Sequence, residues 1–442
     1  MTAPAPASVH VPLARAAILA VGSEMLTASK IDTNSLFITG ELNALGIDVV
    51  FKSVVGDDRD ELTAAVRAAV ARVPLVICCG GLGPTDDDLT REVVAEVLGR
   101  ALHEDPTITE RLRARFQTRF KREMPEINRR QAMVPEGAVV LENPTGSAPG
   151  LWIDHQDGAR GGDGGGTVLL LPGPPRELKP MMAALVAGPL RARAAGVVLL
   201  RQVIKVAGRI ESEVEEQMRP LYARWREWPV PIEPTILAAL GQIELHLSAR
   251  HASADVAAAT LRDATTDVLA VLGADVFSTD GSSLEAVVGQ RLAERGLTIA
   301  LAESCTGGLL ASRLTDVPGS SRYVERGVVT YSNRAKTELL GVPEAMIAAH
   351  GAVSEPVAEA MAAGVRARAS VDVGIGVTGI AGPDGGSAEK PVGTVAIAVA
   401  LPESSPEARQ VRLFRFAGER EQVKFQASQA ALDMLRRLLP PA

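Results

Sequence analysis

Glu303-Ser304-Cys305-Thr306-Gly307-Gly308, set between the apolar run 297–302 and the helical pattern 309–314, is the stretch that decides the fold. A β-prone segment stops abruptly at Glu303, polar and glycine residues follow, and a helix opens at Leu309. A strand, a tight turn and a helix start are one step of an α/β fold. Such a turn presents hydroxyls and backbone N–H groups at the positive end of a helix dipole, a place to hold an oxyanion or phosphate. Ser304 or Thr306 could equally be the helix N-cap. About thirty residues on, Tyr331-Ser332-Asn333-Arg334-Ala335-Lys336 brings a lysine after a second strand-like run, 327–331. Lys336 is either a solvated helix lysine or, with a nearby hydroxyl, part of nucleophilic amide chemistry without histidine.

The chain has 442 residues, enough at about 150 per domain for two or three separate cores. Aromatic residues make up only 3%, so the cores are aliphatic and ring platforms for single-stranded nucleic acid are not expected. A formal charge of −7 without a basic block argues the same way. The run 16–21 is too short for a signal-peptide core or a membrane span, so a cytoplasmic location is expected. Residues 1–14 read as a disordered tail. Cys78 and Cys79 adjoin in one strand and Cys305 stands alone, which implies no disulfide framework. The histidines show no zinc-ligand spacing, so any metal is expected on oxygen ligands.

Runs 16–21, 47–54 and 75–79 alternate with helical patterns from Asn34 and from Arg59, which predicts a parallel sheet with right-handed crossovers. After the third strand comes Gly80-Gly81-Leu82-Gly83-Pro84-Thr85-Asp86-Asp87-Asp88. Ligands of open α/β sheets bind beyond the carboxyl ends of strands, and glycines there let phosphate approach the backbone. Asp86, Asp87 and Asp88 would repel a phosphate unless a divalent cation sits between them. Their plain alternative is an acidic first helical turn. The segment 110–130 reads as a charged helix broken by Pro125, and 157–166 as a flexible hairpin tip. Pro172-Gly173-Pro174-Pro175-Arg176-Glu177 is a further loop at a strand end, either lining a cleft or only joining strand to helix.

The segments Gly22-Ser23-Glu24-Met25-Leu26, 80–90 and 172–177 resemble the N-terminal domain of the CinA (competence/damage-inducible) family, itself similar to the molybdopterin-binding fold. Segments 303–308, 318–321, 330–336, 350–356 and 379–386 resemble that family's C-terminal nicotinamide-mononucleotide (NMN) deamidase domain. The resemblance implies a Rossmann-like α/β domain over 15–178, a small α+β connector likened to a KH module over 179–279, and a second α/β domain over 280–442. It implies NMN amidohydrolase activity in the last and metal-dependent ADP-ribose pyrophosphatase activity in the first. The alternatives are a first domain that only binds a pterin or nucleotide, or a competence- or damage-associated adaptor.

For the pyrophosphatase the expected ligand contacts are Gly22, Glu24, Gly80, Gly81, Gly83, Thr85, Gly173, Arg176 and Glu177, with Mg²⁺, Mn²⁺ or Co²⁺ on Asp86, Asp87 and Asp88. For the deamidase, which needs no cofactor, catalysis is expected from Ser304 or Ser321 as nucleophile, Lys336 as base and Tyr331 as proton donor or relay. Its substrate contacts are Thr306, Gly307, Gly308, Ser320, Asn333, Thr378, Gly379, Gly382, Gly385 and Gly386. The resemblance further implies a homodimer acting on small nucleotides, without membrane or nucleic-acid partners. KH recognition needs a G-x-x-G loop, and Gly208-Arg209-Ile210-Glu211 lacks the second glycine.

Overall fold

The computed structural model describes residues 12–156, 165–402 and 409–440. The tail expected over 1–11 and the hairpin tip over 157–164 lie outside them. Leu13, assigned to the tail, is fully buried and its amide donates to the Arg193 carbonyl (2.8 Å), which anchors the chain ahead of residue 15. The chain divides into two compact units, residues 1–200 with 250–258 and residues 201–249 with 259–442.

The first unit is built on β1 (Arg15–Val21), α1 (Thr33–Ala44), β2 (Asp48–Val55), α2 (Arg59–Arg72) and β3 (Leu75–Cys79). It continues with α3 (Thr90–Val97), a ribbon of β4 (Leu102–Glu104) and β5 (Met133–Pro135) flanking α4 (Pro106–Arg115), and β6 (Val139–Leu141), β7 (Gly150–Gln156) and β8 (Gly165–Leu171). Helices α5 (Pro175–Ala187) and α6 (Pro189–Arg193) follow. The six-stranded sheet has the order β2-β1-β3-β8-β7-β6, parallel through β8 and antiparallel beyond it.

Strand β1 sends Ala17, Leu19 and Val21 into one core and Ala16, Ile18 and Ala20 into the other, so its continuous apolar run belongs to a strand covered on both faces. Asp32 and Asp58 cap α1 and α2 by accepting the amides of Ser35, and of Asp60 and Glu61. The charged stretch 110–130 is less regular than expected. Beyond α4 it forms a π-turn (Phe116–Phe120) and then, past the extended Pro125, a 3-10 segment (Glu126–Ala132). The boundary drawn at 178/179 falls inside α5, which continues because Leu178, Met181, Met182 and Leu185 pack into the first unit's core.

Between the larger sheets in sequence lie β9 (Val198–Ala207), α7 (Glu211–Arg226), β10 (Ile232–Ala239), β11 (Gln242–His251), α8 (Ala254–Leu272) and β12 (Val276–Ser278). Their strands form a four-stranded sheet of order β10-β11-β9-β12. Strand β11 alternates, burying Ile243, Leu245, Leu247 and Ala249.

The last part comprises α9 (Leu284–Glu294), β13 (Ile299–Glu303), α10 (Leu309–Thr315), β14 (Val324–Val329), α11 (Asn333–Leu340) and α12 (Glu344–His350). It ends with α13 (Glu355–Ala369), β15 (Val373–Gly379), β16 (Thr394–Ala400), β17 (Arg409–Arg415) and α14 (Arg420–Leu438). The order is β14-β13-β15-β16-β17, with β14, β13 and β15 parallel. The carboxyl ends of these three strands therefore share one edge, and the turns 303–308, 330–333 and 379–386 meet there.

Candidate functional site

At that edge Lys336 Nζ lies 3.0 Å from Ser304 Oγ and donates to the Thr330 carbonyl (2.8 Å). Ser332 starts the helix that carries the lysine, its hydroxyl accepting the Ala335 amide (3.1 Å). Lys336 is only 1% exposed, so it is no solvated helix lysine. Burial holds its pKa below the ordinary lysine value, against a small opposing effect of Cys305. Arg334 takes no part in this, being exposed and paired with Glu338 (3.7 Å). Burial pushes the Cys305 thiol up to about 12, and the hydrogen bond of Lys336 in this turn goes to the Ser304 hydroxyl.

The helix amides do not await an anion. Glu303, 1% exposed, accepts the N–H groups of Gly308 (3.0 Å), Leu310 (3.1 Å) and Ala311 (2.9 Å). Neither Ser304 nor Thr306 is the N-cap of α10, because Glu303 reaches across the turn to do that work. Glu303→Leu, which orphans these donors, is expected to destabilise the chain by about 1–2 kcal/mol in chemical denaturation. The Ser304 amide donates to Val377 O (2.9 Å) on β15, and this fixes the hydroxyl beside the lysine. Thr306 Oγ1 is fully buried and has no hydrogen-bond partner among the described residues.

Tyr331 is exposed and its hydroxyl accepts from Arg420 Nη2 (2.9 Å), while Arg420 Nη1 donates to the Gly382 carbonyl (2.6 Å). One turn further along α14, Lys424 Nζ stands 3.8 Å from where a Cβ on Gly307 would be. Gly379 leaves room for Cys305, whose Sγ would lie 2.9 Å from an added Cβ. Thr378 turns its hydroxyl to the Ala352 carbonyl (2.8 Å), away from a substrate role. Asn333, Gly385 and Gly386 are exposed, and Gly308 opens α10.

Ser320 and Ser321 are not in this cluster. They form a 3-10 turn ahead of β14, where the carbonyl of Tyr323 accepts the amide of Ile299 at the start of β13 (2.7 Å). Ser304 follows the opposite end of β13. Parallel pairing puts the loop after β13 and the loop before β14 on opposite edges, so the expectation of a shared cleft is corrected. Arg420, Lys424 and the capping role of Glu303 were missed. The first two lie on the closing helix, remote in sequence from any loop motif.

In the first unit a cavity of about 340 Å³ opens at the carboxyl ends of β1, β3 and β8. Gly22, Glu24, Gly80, Gly81, Gly83, Asp87, Asp88, Gly173 and Glu177, all singled out from the sequence, line it, joined by Asp57, Gln131 and Ser147, which lacked any local signal. Thr85 and Asp86 do not line it, and the exposed Arg176 does not either. Asp86 is held by Arg130 (3.0 Å), and Asp88 accepts the amide (2.9 Å) and hydroxyl (2.6 Å) of Thr85. The aspartates precede α3, so they are not its first turn. Among the described residues no three His, Cys, Asp or Glu side chains are grouped to hold a metal ion. The aspartate run thus does not fit a protein-built cation cage.

The fold and these two sites define a class: a molybdopterin-binding-type α/β domain joined to a second α/β domain with a buried serine–lysine pair. Residues 17–192 match the probable molybdopterin binding domain and residues 281–439 the CinA C-terminal domain. The chain is 45% identical to a CinA-like protein of Koribacter versatilis over 96% of its own length and 99% of that protein's. It is 44% identical to a putative competence-damage inducible protein of Symbiobacterium thermophilum, over 96% of this chain and 98% of the other. The competence/damage inducible protein CihA from Agrobacterium tumefaciens, a solved structure, is 39% identical over 36% of this chain and 96% of its own, with a TM-score of 0.34. The chain belongs to the CinA family. Among its described residues no helix is long and apolar enough to cross a membrane.

Proposed function

We propose that the C-terminal domain is an amidohydrolase that converts NMN to nicotinic acid mononucleotide and ammonia. The observation that carries the chemistry is the 3.0 Å contact between Ser304 Oγ and a buried Lys336 Nζ. A neutral lysine accepts the serine proton as the oxygen attacks the carboxamide carbon and returns it to the nitrogen, so the C–N bond breaks and ammonia leaves an acyl-serine. Water, giving its proton to the same amine, then attacks that ester and releases the carboxylic acid and the serine. Lowering of the Lys336 pKa by burial is what makes the neutral amine accessible. Thr306, with its buried unpartnered hydroxyl, is the donor assigned to the bound amide. Arg420 and Lys424 supply the positive charge for the 5′-phosphate, with Gly382 and its loop alongside. The substrate's name comes from the family resemblance. Ammonia and product analysis on NMN tests it: release of ammonia from NMN without added metal is expected, and its absence overturns the reading.

We propose for the first unit that the cavity at 80–83 binds the diphosphate of a nucleotide such as ADP-ribose. Its glycine-lined floor at strand ends supports this. ADP-ribose is expected to bind in EDTA, and to be hydrolysed only when Mg²⁺, Mn²⁺ or Co²⁺ is added to complex the substrate's diphosphate, since the aspartates alone do not cage an ion. Turnover in EDTA would remove the cation's part. Failure to bind under either condition would remove the nucleotide reading.

A further inference from the structure

The loop 80–85 is held from beneath by side chains that grip its carbonyls. Thr90 donates through Oγ1 to Gly80 O (2.9 Å) and through its amide to Gly81 O (3.2 Å). Arg91 Nη2 donates to Leu82 O (3.0 Å), and Arg130 Nη1 to Thr85 O (2.7 Å). In a planar trans peptide the N–H points opposite to the C=O it is bonded to. Tying the carbonyls of Gly80, Gly81 and Leu82 towards α3 therefore aims the N–H groups of Gly81, Leu82 and Gly83 the other way. The same three residues line the cavity. Gly81 has φ +64°, and a Cβ there would stand 2.2 Å from Thr90 Oγ1, so glycine is what lets this grip close.

Arg91 is the unusual member of the grip. It is 1% exposed, and its Nε and Nη1 have no hydrogen-bond partner among the described residues. A guanidinium does not lose its proton in a protein, so a full charge sits under the loop. A hydrogen bond to one carbonyl does not require that charge, and an apolar side chain would fill the space without desolvating a cation. The cavity is lined by Glu24, Asp57, Asp87, Asp88 and Glu177, which repel an anion, and of the carboxylates Glu92 and Asp88 stand near enough to Arg91 to act on its charge. A cation behind the loop, in a medium of low dielectric, offsets that repulsion at the amides.

We propose that Arg91 is a positioning residue and the buried counter-charge of an anion cradle formed by the N–H groups of Gly81, Leu82 and Gly83, which receives the diphosphate of a nucleotide. This rests on the reading of the first unit as a nucleotide site.

Calorimetric titration of the full chain with ADP-ribose in EDTA tests it with Arg91→Lys, Arg91→Gln and Arg91→Met, each checked for folding by thermal unfolding. Gln keeps a donor for Leu82 O but removes the charge, and it is expected to weaken binding about tenfold or more, as Met does. Lys keeps the charge, and a buried lysine sheds its proton more readily than arginine. Its affinity relative to the wild type is therefore expected to rise as pH is lowered, while the Gln ratio stays flat. Equal affinity of the Gln variant and the wild type, or a Lys ratio as flat and as low as that of Gln, overturns the counter-charge. No binding by the wild type overturns the nucleotide reading and the inference with it.

Discussion

Replacing Lys336 with Met is expected to lower turnover of NMN by on the order of 10² or more, with KM little changed. The amine is 3.0 Å from Ser304 Oγ and sits behind it, tied to Thr330 O, so its loss removes the proton acceptor without touching the substrate. Met has a similar shape and no charge, and the site is buried, so the variant is expected to fold at least as well as the parent. Lys336→Arg is the sharper test, because a guanidinium keeps the donor and the charge but never becomes a base. It is expected to be as inactive as the Met variant. The wild type needs neutral Lys336, so its kcat/KM is expected to rise with pH through the lysine's pKa, and burial places that rise below the ordinary value of 10.5. Steady-state rates across pH check both statements. An active Lys336→Arg enzyme would exclude lysine as the base.

Much of this was legible in the chain because parallel α/β sheets write their own pattern. Strands covered on both faces carry unbroken apolar runs, such as Leu75–Cys79 and residues 299–302, and each run ends where polar and glycine residues begin. That rule found the Ser304 turn, the Gly80 loop and the strand leading to Lys336, and it put all three at sheet edges. It could not tell which edge. Ser321 carries the same chemistry in a similar loop, and only the parallel pairing of Val324 with Ile299 shows that this loop lies at the opposite end of the strands from Ser304. Nor could it say how a carboxylate is used. Asp86 and Asp88 read as metal ligands because a run of aspartates beside a phosphate loop calls for a cation, yet the first answers Arg130 and the second closes the turn on Thr85.

Long-range partners had no local mark at all. Arg420 opens a helix 89 residues beyond Tyr331, whose hydroxyl it holds, and the capping box at Glu419 advertises only a helix start. Arg91 carries no local mark either, and its burial follows from the loop that folds over it. The helix amides of α10 misled in the other direction. A strand-to-helix turn suggests an open anion site, but the last residue of the strand, Glu303, already fills it. Sequence patterns set the placing of backbone well, and leave the pairing of side chains across the sheet to the tertiary structure.

Ser304→Ala is expected to abolish NMN hydrolysis to within the background rate, a loss larger than that of the lysine variants. Its neighbours do not stand in for it: among the described residues the Lys336 amine hydrogen-bonds Ser304 Oγ and Thr330 O, the Cys305 thiol is buried, and the Thr306 hydroxyl has no hydrogen-bond partner. Ser321→Ala is the control that the geometry makes decisive. Within one chain Ser321 stands at the far end of the five-residue strand β13, roughly 15 Å from the Ser304 turn at the usual rise per residue. Its removal is therefore expected to leave kcat and KM within about twofold, as for surface changes away from a site. Rates and KM on the two purified variants settle the assignment. Residual turnover in Ser304→Ala comparable to the wild type would rule out this serine. A large loss in Ser321→Ala would instead mean that Ser321 from another copy enters the site. Mixing the two inactive variants then decides the matter, since activity returns on mixing only if one chain supplies Ser304 and the other Ser321.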